Sequence, residues 1–145
     1  NEFFNNEKNN GVNTIGNWLD FSSKAKVHKN KLNKIINDLS KDNVIIGYGS
    51  SARSQTLLNF CGINNQKIRA IVDNNSFKQG KFAPGSLIRI IDLENGIKLN
   101  PNYILILAWN FKDEIIESCL SKNFRGKFII PLPNEPYILD SNEIH

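Results

Sequence analysis

The chain has 145 residues, of which 40% are hydrophobic and 22% charged, and its formal net charge is +4. This length fits one domain with a sizeable core, and the composition excludes wholesale disorder. No run approaches the ~18 apolar residues of a membrane span, and no signal peptide is visible. No stripe of basic residues is dense enough to bind nucleic acid. We therefore expect a cytoplasmic protein that binds neither membranes nor nucleic acid.

The first predicted element is an amphipathic helix from Trp18 to Leu39, where apolar residues recur at helical spacing among lysines and asparagines. We assign residues 1–17 to a linker or domain edge and residues 18–145 to one domain. The sequence contains no methionine. Either the start has been processed or the chain is a fragment of a longer polypeptide.

Five short apolar runs alternate with helical patterns after this helix. The strands are predicted from "NVIIGYG", "KIRAIVD", "SLIRIID", "NYILILA" and "GKFIIPLP", and the helices from "SARSQTLLNFCG" and "FKDEIIESCLSKN". In the last helix the inward-facing residues are predicted to be Phe111, Ile115, Ile116, Cys119 and Leu120. The tail from Asn134 gives no clear signal.

This alternation predicts a Rossmann-like α/β fold with a doubly wound parallel sheet of about five strands. The expected architecture has three layers, α/β/α, preceded by the amphipathic helix. We expect the strand order 3-2-1-4-5. Ligands of such sheets collect at the carboxyl ends of the strands.

A glycine turn follows the first strand. Gly47, Gly49 and Ala52 match the pattern G-x-G-x-x-A, in which the glycines allow a tight turn and a close approach of a ligand to the backbone. Ser50 or Ser51 is expected to cap the next helix, whose free amides would then attract an anion. Arg53 could add a charged hydrogen bond to a phosphate or carboxylate. The alternative is a glycine turn needed only for close packing.

The second strand ends at Asp73, about twenty residues beyond the glycines, where a dinucleotide-binding fold places its ribose-binding acid. An Asp–Asn turn in "DNNS", formed by Asp73 and Asn74, is the equal alternative. Lys78 and Lys81 in the next loop are interpreted as solvated lysines or as phosphate contacts.

Trp109 and Asn110 follow the fourth strand, at the same predicted edge. Trp109 could stack on a base or sugar, or pack in the core or at an interface. Asn110 could cap the helix that begins near Phe111. We find no pair of general acid and general base, and so assign no catalytic residue.

The two cysteines, Cys61 and Cys119, lack the short spacing of metal ligands, and each falls in a predicted helix. We predict two buried free thiols, with a disulfide or a metal site as the alternative. Since the chain has only two histidines, a zinc site would lack ligands. We expect no metal in this chain.

Four segments in order, "GYGSSARSQTLLNFCGI", "VDNNSFKQGKFAPGSLIRI", "LILAWNFKDEII" and "GKFIIPLP", resemble the C-terminal domain of the sugar C-methyltransferases. That family uses S-adenosylmethionine to methylate a carbon of nucleotide-linked keto-deoxysugars. The resemblance runs from the amphipathic helix to Pro133. It departs from the family where Ser51 and Arg53 stand, since proline and lysine are common there.

The resemblance implies a fragment that is not active alone. The S-adenosylmethionine site, a zinc site and the catalytic residues would lie in other domains of the parent enzyme. This domain would help to close the cleft over a nucleoside-diphosphate sugar, with the central methyltransferase domain of its own chain as its partner. The implied substrate-binding positions are Gly47, Tyr48, Gly49, Ser50, Ser51, Arg53, Asp73, Asn74, Lys78, Trp109 and Asn110.

Two other functions are compatible with the residues alone. The glycine pattern with Asp73 downstream is also found in NAD(P)-dependent oxidoreductases, although no hydride-acceptor site follows it. A Rossmann-like module that binds no small molecule could instead serve as a docking surface through Tyr48, Trp109 and Phe111.

Overall fold

A computed structural model describes residues 14–144 of the chain. The helices are α1 (Ile15–Leu39), α2 (Ala52–Cys61), α3 (Leu93–Lys98) and α4 (Lys112–Ser121). The strands are β1 (Ile45–Tyr48), β2 (Ile71–Val72), β3 (Ile90–Ile91), β4 (Tyr103–Ile106), β5 (Lys127–Ile130) and β6 (Tyr137–Asp140). Short 3-10 turns cover Trp109–Phe111 and Ser141–Glu143.

The strands form one sheet in the order β3-β2-β1-β4-β5-β6. The first five strands run parallel to one another, which confirms the predicted Rossmann-like order 3-2-1-4-5. The sixth strand, β6, was not predicted and pairs antiparallel with β5. It lies in the tail after Asn134, so this tail closes one edge of the sheet.

Two apolar clusters cover the two faces of the sheet, as a three-layer α/β/α fold requires. Alternate residues of each strand enter opposite clusters: Ile45 packs with α1 and α2, whereas Ile46 packs with α3 and α4. The two cysteines divide in the same way, Cys61 into the first cluster and Cys119 into the second. Both are buried free thiols, which confirms that prediction, and burial raises the pKa of Cys119 to about 12.

Three details differ from the sequence prediction. Helix α1 begins at Ile15, three residues earlier than predicted, with the Thr14 side chain as its N-cap. Helix α3 was not predicted; the Asp92 side chain caps it. Phe111 was predicted to face inward but is 57% exposed, because it ends the 3-10 turn before α4.

The predicted linker, residues 1–17, lies mostly outside the described residues. Between residues 14 and 144, no helix combines the length and the apolar character that a membrane crossing requires.

Candidate ligand-binding edge

The central strands β1 and β4 are neighbours, and the chain leaves them in helices on opposite faces of the sheet. Helix α2 follows β1, whereas the turn Trp109–Phe111 and α4 follow β4. This is the switch point at which open α/β sheets bind ligands, beyond the carboxyl ends of the strands. The predicted positions Gly47–Arg53 and Trp109–Asn110 therefore meet at this edge.

The two glycines of the turn lie against the residues that follow β4. A Cβ on Gly49 would lie 2.6 Å from Ala108 Cβ and 3.1 Å from the Ala108 amide nitrogen, and Gly49 has a φ of +100°, a conformation that side chains disfavour. A Cβ on Gly47 would lie 2.8 Å from Leu107 Cδ1, the end of a flexible side chain. Close packing and backbone conformation thus account for Gly49, and close packing contributes at Gly47.

Ser51 caps α2 through a capping box. Its hydroxyl accepts from the Ser54 amide at 3.2 Å, and its own amide donates to Ser54 Oγ at 3.3 Å. The amides of Ala52 and Arg53, the first two of the helix, have no acceptor among residues 14–144. These two N–H groups are available to an anion, and the helix dipole adds partial positive charge there.

Both oxygens of the Asp73 carboxylate accept hydrogen bonds within the domain. They accept from the Ser50 amide at 2.8 Å and from the Asn75 amide at 2.9 Å. Lys78 Nζ lies 3.2 Å from the same carboxylate and donates to the Ser50 carbonyl at 2.8 Å. The bond to Asn75 is the local turn proposed for "DNNS", and Lys78 binds this turn while its side chain remains 39% exposed.

Two further bonds join the loop after β2 to its surroundings. The buried Tyr48 hydroxyl lies 3.2 Å from Asn74 Oδ1, and Gln79 Nε2 donates to the Asp73 carbonyl at 2.9 Å. Tyr48 therefore positions Asn74 rather than facing solvent itself. Sequence analysis missed Gln79, because a glutamine in a loop shows no pattern that predicts its partner.

Arg53 is exposed at this edge, whereas Trp109 is half-buried and packs against the first apolar cluster. The Arg53 guanidinium carbon lies 5.8 Å from the centroid of the Trp109 ring, within cation–π range. The Asn110 side chain does not cap α4 as predicted: residue 110 lies inside the 3-10 turn, and no side chain caps the helix that follows.

Only a shallow depression of about 50 Å³ lies beside these residues, lined by Ser51, Arg53, Leu107, Ala108, Trp109, Asn110 and Phe111. Ligand pockets for drug-sized molecules occupy roughly 300–1,000 Å³. This edge therefore forms one wall of a site, and a nucleotide-sized ligand would need a second wall.

The structure brings the predicted positions together in two groups. Asp73, Asn74 and Lys78 brace the turn from the side of β2, while Arg53, Trp109 and Asn110 lie on the side of β4. Within residues 14–144, no cluster of three or more His, Cys, Asp or Glu side chains could hold a metal ion. These residues therefore offer no fit for zinc.

The fold and this edge define a Rossmann-like α/β domain with a half-open site at its switch point. Residues 1–133 match the family described as the C-methyltransferase C-terminal domain. The chain is also 32% identical over 139 residues to C-methyltransferase NovU of Streptomyces niveus. That match covers 93% of this chain and 32% of the relative, so the chain spans about a third of the relative's length. The chain belongs to the C-methyltransferase C-terminal domain family.

Proposed function

We propose that this chain is the nucleotide-sugar-binding and cleft-closing domain of an S-adenosylmethionine-dependent C-methyltransferase that acts on a nucleotide-linked keto-deoxysugar. The parent enzyme would be cytoplasmic, and its other domains would bind the methyl donor and zinc and supply the catalytic residues. In this proposal the fragment has no methyltransferase activity of its own.

The free amides of Ala52 and Arg53 beside the Arg53 guanidinium are the observation that carries this proposal. Together they offer two neutral donors and one charged fork to a diphosphate. Trp109 adds an aromatic surface for a sugar or base. Holding the nucleotide away from the reacting carbon would supply binding energy that orients that carbon toward the methyl donor.

The oxidoreductase alternative is less well supported at Asp73. A ribose-binding acid accepts from the ribose hydroxyls, whereas Asp73 Oδ2 already accepts two hydrogen bonds, Oδ1 accepts one, and the side chain is only 12% exposed. The docking alternative keeps one supporting observation, the exposed Phe111 at the edge.

Calorimetric titration of the chain with a nucleoside diphosphate, NADH and S-adenosylmethionine tests the proposal. We expect weak saturable binding of the diphosphate alone, and about tenfold weaker binding for Arg53→Gln, because one charged hydrogen-bonding group is lost. The matched control is Arg69→Gln, an equally exposed arginine at the start of β2, at the opposite edge of the sheet.

Tighter binding of NADH or S-adenosylmethionine than of the diphosphate would contradict the proposal. Equal effects of the two arginine substitutions would contradict the placement of the site at α2.

A further inference from the structure

Helix α1 carries one apolar stripe along its whole length. Its positions follow the alternating spacing of three and four residues that keeps side chains on one helix face. We name this set the α1 stripe; its members are Trp18, Phe21, Ala25, His28, Leu32, Ile35 and Leu39.

The two halves of the α1 stripe have different surroundings. Leu32 is fully buried, and Ile35 and Leu39 pack against the same core cluster. In the other half, Trp18 is 59% and Phe21 is 66% exposed, with Ile15 and Leu19 exposed beside them. The face that packs on the sheet therefore continues beyond the sheet without a cover among residues 14–144.

The exposed half points toward the edge that carries the candidate site. Only five residues, 40–44, join the end of α1 to the start of β1, so the helix runs antiparallel to that strand. Lys31 forms an ion pair with Glu135, which lies in the loop at the carboxyl end of β5. Residues before Lys31 thus lie toward or beyond the carboxyl edge.

We propose that the exposed half of the α1 stripe is the docking surface for the methyltransferase domain of the same polypeptide. This inference rests on the proposed function. The family is a C-terminal domain, and the relative's chain is about three times the length matched here. A preceding domain would join the chain on the amino-terminal side of α1, which raises its effective concentration at this surface.

The charges around the stripe indicate what the partner's surface must offer. The exposed half of α1, residues 15–27, contains Lys24, Lys26 and Asp20, and Lys24 forms an ion pair with Asp20 at 2.7 Å. With so little unpaired charge there, a complementary surface is mainly an apolar centre that receives Trp18 and Phe21. A domain seated there would overhang the carboxyl edge and supply the second wall that the shallow depression at Arg53 lacks.

Hydrogen exchange followed by mass spectrometry, on the 145-residue chain and on the full-length parent, tests this inference. We expect amides of residues 15–27 to exchange at least about tenfold more slowly in the parent, because docking suppresses local opening of the helix. Trp18→Ser with Phe21→Ser should abolish that difference. The matched control is Phe77→Ser with Phe82→Ser, which changes two exposed aromatic residues outside α1. This control variant should retain the difference in exchange between chain and parent.

Equal exchange rates of residues 15–27 in the isolated chain and in the parent would overturn the inference. Equal effects of the two double variants on these exchange rates would also overturn it. Protection that appears in the isolated chain together with concentration-dependent dimerisation in sedimentation velocity would assign the stripe to a second copy and also overturn it. In the 145-residue chain, the urea midpoint of the Trp18→Ser, Phe21→Ser variant should match that of the unsubstituted chain, because Trp18 and Phe21 are exposed. Ligand titration at Arg53 is independent of the stripe, so failure of either proposal can be recognised separately.

Discussion

The carboxylate of Asp73 joins two segments that are distant in sequence. It accepts from the Ser50 amide in the turn after β1 and from the Asn75 amide in its own loop, and Lys78 Nζ donates to this carboxylate and to the Ser50 carbonyl. The Asp73 side chain is only 12% exposed, so water cannot readily replace these bonds. This residue therefore holds the position from which α2 presents its amides.

Replacing Asp73 by alanine should lower the free energy of unfolding by about 2–3 kcal/mol, because two amides and one ammonium lose their acceptor. Urea denaturation followed by circular dichroism measures the change. The control is Asp113→Ala, whose side chain is 88% exposed and should change stability by no more than about 0.5 kcal/mol. Equal losses in the two variants would contradict the bracing role.

For single residues, the sequence predicts contacts between near neighbours in the chain better than contacts between distant residues. The turn at Asp73 was predictable because Asp and Asn bond the backbone two residues ahead. The bond from Lys78 to the Ser50 carbonyl crosses 28 residues, and no local pattern encodes that. It depends on how the loop after β2 folds over the turn after β1.

Among the elements, α2 is capped at both ends. Ser51, one of the two serines expected to cap it, closes the capping box, and Gly62 ends the helix in the left-handed conformation. The capping box fixes the first turn of the helix, in which the Ala52 and Arg53 amides lie.

Ser51→Ala should therefore cost about 1 kcal/mol of stability, because the Ser54 amide loses its acceptor at the start of the helix. Thermal or urea unfolding measures this loss. Thr56→Ala is a matched control: its exposed hydroxyl bonds only the Ala52 carbonyl within the same helix, and alanine favours helix formation. A Ser51 variant as stable as the Thr56 variant would rule out a stabilising cap.

Elements with strong periodicity were predictable and weak ones were not. The runs that form β1 and β4 are apolar throughout, which is typical of strands buried on both faces. Helix α3 has only six residues and includes Gly96, so its helical pattern is too short to recognise. Strand β6 has four residues at the sheet edge, and its exposed Tyr137 and Ile138 break the pattern of burial.

Across the whole molecule, the strand order 3-2-1-4-5 was expected for a Rossmann-like fold, and the structure confirms it. The alternation of strands and helices does not fix this order by itself. The extent of the candidate ligand site could not be predicted. Within residues 14–144 this edge lacks a second wall, and the sequence carries no pattern that reveals this. Periodicity also cannot predict which half of the α1 stripe is exposed, because the spacing of its residues is the same in both halves.

The overall pH dependence of stability should include a contribution from His28. Burial lowers its pKa below the ordinary value of 6.5; Glu135 opposes this effect and Lys31 reinforces it. The unfolded chain then binds this proton more readily than the folded chain does. The stability contributed by the neutral imidazole is therefore present above pH 6.5 and is lost as the pH falls through the folded pKa.

We expect His28→Leu to flatten the decline in unfolding free energy between pH 7.5 and about pH 5.5, measured by urea denaturation at each pH. The control is the neighbouring substitution Val27→Leu, which changes no titratable group. It should keep the original slope of unfolding free energy against pH. A slope for His28→Leu as steep as that of the unsubstituted chain would show that this imidazole does not contribute.

Strand β6 has a consequence for how the domain is made. During synthesis β5 leaves the ribosome before Tyr137–Asp140. Strand β4 pairs with one side of β5 and leaves the other side of β5 open. Until those last residues emerge, the outer backbone groups of β5 can pair with a strand of any neighbouring nascent chain. Pairing with β6 therefore satisfies the outer backbone groups of β5 and leaves a strand of only four residues as the edge of the sheet.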